Sequence, residues 1–218
     1  MRRDFILLIF IICCFSSVGA SAQTVDELMG KNPADDPAVW ETRGRYTLRR
    51  EVYEAFDRMK RAARRDGVRL RVVSAYRGFD RQKYLWERKW DSEERAGMND
   101  LERAADILKY SSMPGTSRHH WGTDMDICSV EPRFFEKRRG CKLYKWLCGN
   151  AAEFDFFQPY TADRTKGYAE EKWHWSYRPL SDVFLKEYLR LIKNEDVGGF
   201  RGCHTVAGLD VVGNWVDL

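Results

Sequence analysis

The chain has 218 residues, a length that favours one domain with small appendages. Its apolar and aromatic shares, 44% and 14%, suffice for a packed core and argue against a disordered chain. The formal net charge of +4 is mild and gives no reason to expect a nucleic-acid partner.

Residues 1–22 read as a signal peptide. A short basic start, "MRRD", precedes the apolar run "FILLIFIICCFSSV", and the small residues Ala20 and Ala22 occupy the positions a signal peptidase reads. The run is shorter than the ~20 residues of a membrane span. Cleavage after Ala22 is therefore expected, with an uncleaved anchor as the alternative. The expected location is outside the cytoplasm, in the periplasm or cell envelope, with no membrane attachment after cleavage. Four cysteines then remain: Cys128, Cys141, Cys148 and Cys203. An even number in an exported chain suggests two disulfides, with three possible pairings. Cys128–Cys141 with Cys148–Cys203 is one of them, and the spacing does not choose. No CxxC spacing is present, which argues against a thiolate zinc site.

Residues 23–45 are polar, contain Pro33 and Pro37, and read as an N-terminal arm. From Leu48, apolar residues at Val52, Ala55, Phe56, Met59 and Ala62 recur with helical spacing, and Gly67 ends the helix. Its other face carries Arg49, Arg50, Arg58, Arg61, Arg64 and Arg65, a solvated face or an anion-binding one. "VRLRVVSAY" from Val68 alternates and is β-branched, as a strand is. Helices are expected in "GFDRQKYLWERKW" and "DLERAADILKY", then a loop at "SSMPGTS" and a strand at "TDMDICSV". "CKLYKWLCGNAAEF" is helical and "DFFQPY" extended. "GYAEEKWHWSY" sets Trp173 and Trp175 against His174 and Ser176, as a half-buried strand does. "DVFLKEYLRLI" closes as an amphipathic helix, and a Gly-rich tail follows from Glu195. The predicted class is α+β, with a small, mainly antiparallel sheet flanked by helices. The organisation is a main domain over 46–194 and a C-terminal extension, 195–218, packed on it.

"SRHHWGTDMD", residues 117–126, holds two of the chain's four histidines and two aspartates. A catalytic zinc site needs three protein ligands and an open position for water. This stretch supplies part of such a set, and His174 and His204 are the remaining histidines. Asp124 and Asp126 share a face if the stretch is a strand. Glu171 stands three residues before His174, and a carboxylate there is a candidate general base toward a metal-bound water. Arg77 ends a strand in "SAYRGFDRQ", where a guanidinium can bind a carboxylate, stabilise an oxyanion or sit in a structural ion pair.

Together these stretches resemble the VanY-type D-alanyl-D-alanine carboxypeptidases. These belong to a metallopeptidase group that also holds lysostaphin-type enzymes and the hedgehog signalling domain. Ser74 and Arg77, with Gln82 downstream, match the family's Ser-x-x-Arg end. Ser117, His119, Gly122 and Asp126 match Ser-x-His-x-x-Gly-x-Ala-x-Asp, and Glu171 and His174 match Glu-x-x-His. The match runs over about 45–180. The resemblance implies a hedgehog/D,D-peptidase-like fold, Zn²⁺ on His119, Asp126 and His174, Glu171 as base and Arg77 at the oxyanion. Ser117 and Gln82 are implied as substrate-side hydrogen bonders. The implied reaction is hydrolysis of peptidoglycan stem peptides, by an L,D-carboxypeptidase or crosslink endopeptidase as alternatives to a D,D-carboxypeptidase. A non-catalytic zinc-containing binding module is the reading from another class. A monomer is expected.

Asp124 departs from the pattern, which has alanine there. It is expected to hydrogen-bond a ligating histidine or to lie at the rim. A paired-aspartate site for Mg²⁺ or Mn²⁺ with nucleotide-sugars lacks an accompanying nucleotide fold. His120 is expected to be the non-ligand of its pair. Trp121, Trp173 and Trp175 either wall the cleft or pack in the core.

Overall fold

One small antiparallel sheet organises the molecule, with a helix-covered apolar core on one of its faces. The computed structural model describes residues 23–217, so the expected signal peptide lies outside the described residues. Its elements are α1 (Val25–Leu28), β1 (Trp40–Arg43), β2 (Tyr46–Arg49), α2 (Arg50–Arg65), β3 (Val72–Ser74), α3 (Phe79–Trp90) and α4 (Asp100–Leu108). They continue with β4 (Asp124–Ile127), α5 (Pro132–Glu136), α6 (Arg138–Asn150), β5 (Phe156–Phe157), β6 (His174–Tyr177), α7 (Arg178–Leu191) and α8 (Val206–Leu209). The class is α+β, as expected.

β1 and β2 form a hairpin, and the other strands form a sheet in the order β3-β4-β6-β5. Register aligns Ser74 with Asp126 and Asp126 with His174. Three strands thus set Ser74, Asp126 and His174 side by side in one row. Asp124 and Ser176 face each other in the next row. Because side chains alternate, Met125 and Trp175 point to the opposite face. There they join a core with Val52, Phe56 and Met59 of α2 and Leu143 and Leu147 of α6. The apolar spacing of α2 packs that helix against the sheet and leaves its arginines outside.

A second core gathers Trp86, Trp121, Phe184 and Tyr188 with Val206, Val211, Val212 and Val216 of the C-terminal stretch. The stretch read as a polar arm is structured. Leu28 and Met29 are buried in this second core, and Trp40 stacks on Tyr76 with ring centroids 4.9 Å apart. Buried contacts far along the chain, invisible to local polarity, order this segment.

The expected disulfides do not form: Cys128, Cys141, Cys148 and Cys203 are all free. Each occupies its own environment. Cys128 Sγ donates to the Arg69 carbonyl at 3.4 Å, and Cys141 Sγ to the Phe135 carbonyl at 3.0 Å. Cys148 sits against Tyr144, and Cys203 packs on the second core.

Candidate active site

The histidine doublet lies in a single 3₁₀ turn, Arg118–Trp121, closed by Gly122 at φ +69°. A Cβ on Gly122 would fall 2.1 Å from the Trp40 ring, so backbone and packing both require glycine. Within this turn the two imidazoles diverge. His119 Nδ1 lies 2.9 Å from the Ala75 carbonyl, which holds the proton there and leaves Nε2 as a free donor atom. Nε2 faces Asp126 Oδ1 at 3.5 Å. His120 turns the other way. Its Nδ1 donates to the Arg77 carbonyl at 2.5 Å, and its Nε2 accepts from the Gly115 N–H at 3.0 Å. It ties the Arg77 and Gly115 loops together and cannot reach the cluster.

His174, on β6, places Nδ1 3.4 Å from Asp126 Oδ1 and 3.5 Å from Glu171 Oε2. Donor atoms of His119, Asp126 and His174 lie within 4.8 Å of one another, and all three residues are buried. Asp126 Oδ1 is buried with no hydrogen-bond partner, an arrangement that costs free energy unless a cation completes it. Two imidazoles with free ring nitrogens and one orphaned carboxylate oxygen match the donor set of a catalytic zinc site. The residues present fit the ion.

Electrostatics agree. Burial, with the Arg77 charge, lowers His119 to about 4, so it is neutral at pH 7. Burial lowers His120 to about 3. Burial also opposes a charge on His174, but Asp124 and Asp126 outweigh it and push His174 up to about 9. The two carboxylates thus favour positive charge at His174. Burial, reinforced by the Asp126 charge, pushes Glu171 up to about 7 against the pull of His174 and Arg77. A carboxyl poised there can both take and return a proton near neutrality.

Asp124 is fully buried behind His174. Its Oδ1 lies 2.9 Å from His174 Nε2 and 3.0 Å from Arg118 Nε. Its Oδ2 accepts from Thr123 Oγ1 at 2.5 Å and from Ser176 Oγ at 3.0 Å. Burial would raise this carboxyl, but Arg118 and His174 hold it well below the usual carboxylate range. Asp124 thus orients the imidazole and faces neither the cleft nor solvent.

The three residues border a cleft of about 530 Å³ that also receives Arg77, Lys89, Tyr160, Tyr168, Glu171 and Trp173. Trp173 both walls the cleft and packs in the first core, whereas Trp121 and Trp175 are core residues alone. Ser117 and Gln82 do not line the cleft. Ser117 is buried at the start of the 3₁₀ turn, and Gln82 Nε2 donates to the Ser112 carbonyl at 2.7 Å, holding a loop that does line it. His204 lies elsewhere, 3.0 Å from Asp100. Sequence reading missed Arg118, whose signal was a lone cation inside the quoted motif beside an unmatched aspartate. It also missed Tyr160, whose ring centroid is 4.7 Å from that of His174, and Tyr168. These two tyrosines sit in irregular segments and carry no local pattern.

A family described as VanY, D-alanyl-D-alanine carboxypeptidase, matches residues 45–180. A D-alanyl-D-alanine carboxypeptidase of Enterococcus faecalis is 31% identical over 142 residues, covering 61% of this chain and 52% of the relative. The chain thus spans about half the length of that relative. The structure of VanYB in complex with D-alanine-D-alanine is similar at a TM-score of 0.57 and 25% identity, over 73% of this chain and 87% of that one. A VanY-type vancomycin-resistance D,D-pentapeptidase solved with Zn(II) shares the fold at a TM-score of 0.56 and 24% identity, over 72% and 87% of the two chains.

Proposed function

The chain belongs to the VanY D-alanyl-D-alanine carboxypeptidase family, and on that premise we propose that it is an exported, zinc-dependent carboxypeptidase that removes terminal D-alanine from peptidoglycan stem peptides. The observation that carries this reading is the convergence of His119, Asp126 and His174 donor atoms within 4.8 Å, with Glu171 beside them. Zn²⁺ bound there would supply a Lewis acid for the scissile carbonyl and lower the pKa of the attacking water.

The chain's own groups do the rest. Asp124 and the Ala75 carbonyl fix the two imidazoles so that the correct nitrogen of each faces the site. Glu171, 7% exposed, takes the proton of the attacking water at its carboxylate and delivers it to the leaving amine. Arg77, with its Nε unpartnered, offers its guanidinium to the oxygen on which negative charge develops. Tyr160, Tyr168 and Trp173 narrow the cleft and exclude bulk water. Export rests on the reading of residues 1–22. Among the described residues no helix is long and apolar enough to cross a membrane.

The test is product mass on defined muropeptides. Residues 23–218, loaded with zinc, are expected to release one D-alanine from a pentapeptide ending in D-Ala-D-Ala, and to stop on chelation. Release from tetrapeptide alone would assign an L,D-carboxypeptidase, and cleavage of crosslinked dimers an endopeptidase. No hydrolysis of any of the three would overturn the peptidase reading.

A further inference from the structure

The basic face of α2 takes no part in the catalytic cleft. Arg64 from that face and Lys60 one turn before it line a separate groove of about 610 Å³, together with Arg69 and Arg71 before β3 and Arg139 of α6. A hollow of about 300 Å³ shares Arg69 and Arg139 with it and adds Lys142. Six cations from three parts of the chain thus border two depressions that share Arg69 and Arg139, and among the described residues no carboxylate lines either one. Among the described residues none of the six is in an ion pair. The chain as a whole carries 37 basic and 33 acidic residues, so this segregation is local.

Clustered like charges repel and oppose folding. The start of α6 adds to the cost. Lys137, Arg138 and Arg139 stand at its positive end, with no acidic residue in the first turn and no capping side chain. That is the reverse of what the helix dipole favours. An anion in the groove offsets both terms. Four of the six cations are arginines, whose planar fork matches phosphate oxygens. The floor, with Val68 and Phe134, is concave, and among the described residues none of the large exposed apolar side chains lies in it. A membrane surface would call for such side chains to insert; a polymer strand needs only a charged channel.

We propose that this groove binds a phosphate-bearing polymer and holds the protein on it. The site lies on the other side of the segment after β4 from the catalytic cleft: Val130 and Pro132 border the cleft, Cys128 and Phe134 the groove. Binding therefore leaves the cleft open, and the proposal does not depend on the hydrolytic reading.

The probe is fluorescently labelled inorganic polyphosphate, titrated by anisotropy at several salt concentrations. Wild-type protein is compared with the triple variant Arg64→Gln, Arg69→Gln, Arg139→Gln. A second triple variant, Arg81→Gln, Arg88→Gln, Lys186→Gln, makes the same charge change elsewhere. The groove variant is expected to bind at least about tenfold more weakly at physiological salt. Its slope of log K against log salt is expected to be shallower by roughly two to three. The second triple variant is expected to stay within about twofold of wild type. Relief of repulsion predicts a groove variant that melts no lower than wild type. Should it melt lower, Arg69→Gln and Arg139→Gln taken singly are each expected to weaken binding. No wild-type binding at physiological salt, or equal losses in the two triple variants, would overturn the proposal. So would binding confined to phosphatidylglycerol vesicles without polyphosphate binding.

Discussion

Asp124 Oδ1 stands 2.9 Å from His174 Nε2, with the Arg118 guanidinium 3.0 Å away on its other side. The carboxylate is fully buried, and so is the arginine at 2% exposure. A position that is alanine in the VanY motif carries here one half of a buried ion pair that presses on His174. Removing one half leaves the other charge buried and uncompensated.

Asp124→Ala is therefore expected to lower stability by about 3–5 kcal/mol, measured by urea denaturation of the metal-free protein. Adding Arg118→Met is expected to recover most of that loss. Zinc affinity, read by competition with a chromogenic chelator, is expected to fall about 10–100-fold in both variants, because neither orients His174. Unchanged zinc affinity in the stable double variant would show that Asp124 is only structural.

Metal binding and proton transfer should separate by mutation. Glu171→Gln is expected to keep one zinc per chain, by metal analysis, and to lose about 10²–10⁴-fold in hydrolysis. His119→Ala and Asp126→Ala are expected to lose both. A Glu171→Gln protein that hydrolyses at the wild-type rate would remove the carboxylate from the mechanism.

His120 is a fastener. His120→Ala orphans the Arg77 carbonyl and the Gly115 N–H, at about 1–3 kcal/mol for each group left unpaired. The expected result is a lower urea midpoint with zinc stoichiometry intact. Loss of stoichiometric zinc would instead make His120 a ligand.

Four free thiols imply that reductant has no effect on stability. The protein from residue 23 is expected to titrate four thiols when denatured without reductant. Its melting temperature is expected to be the same with and without dithiothreitol. Fewer than four thiols would establish a bridge.

The convergence of His119, Asp126 and His174 was legible because each of its parts is local. The spacing from Ser117 to Asp126 encodes one turn and one strand. The alternation around Trp173, His174 and Trp175 encodes a strand with one face in the core. Register then brings them together, as Asp126 opposite His174 shows. The illegible parts depend on contacts between distant segments. Gln82 and Ser117 match a motif yet do not line the cleft, since packing between distant segments decides what borders it. Tyr160 and Tyr168 wall the cleft from loops without periodicity. The expected pairing of the cysteines followed a rule of compartment, and the fold leaves all four free.

The neighbouring imidazoles of the doublet are not spares for one another. The tight turn from Arg118 to Trp121 sends one toward Asp126 and His174 and the other into the backbone behind it. Which is which depends on counting residues back from Gly122, whose left-handed backbone is pinned under Trp40. Changing the length of this turn by one residue would exchange the places of the two rings and lose the contacts of both. The segment can absorb a change of identity at its edges far better than a change of length.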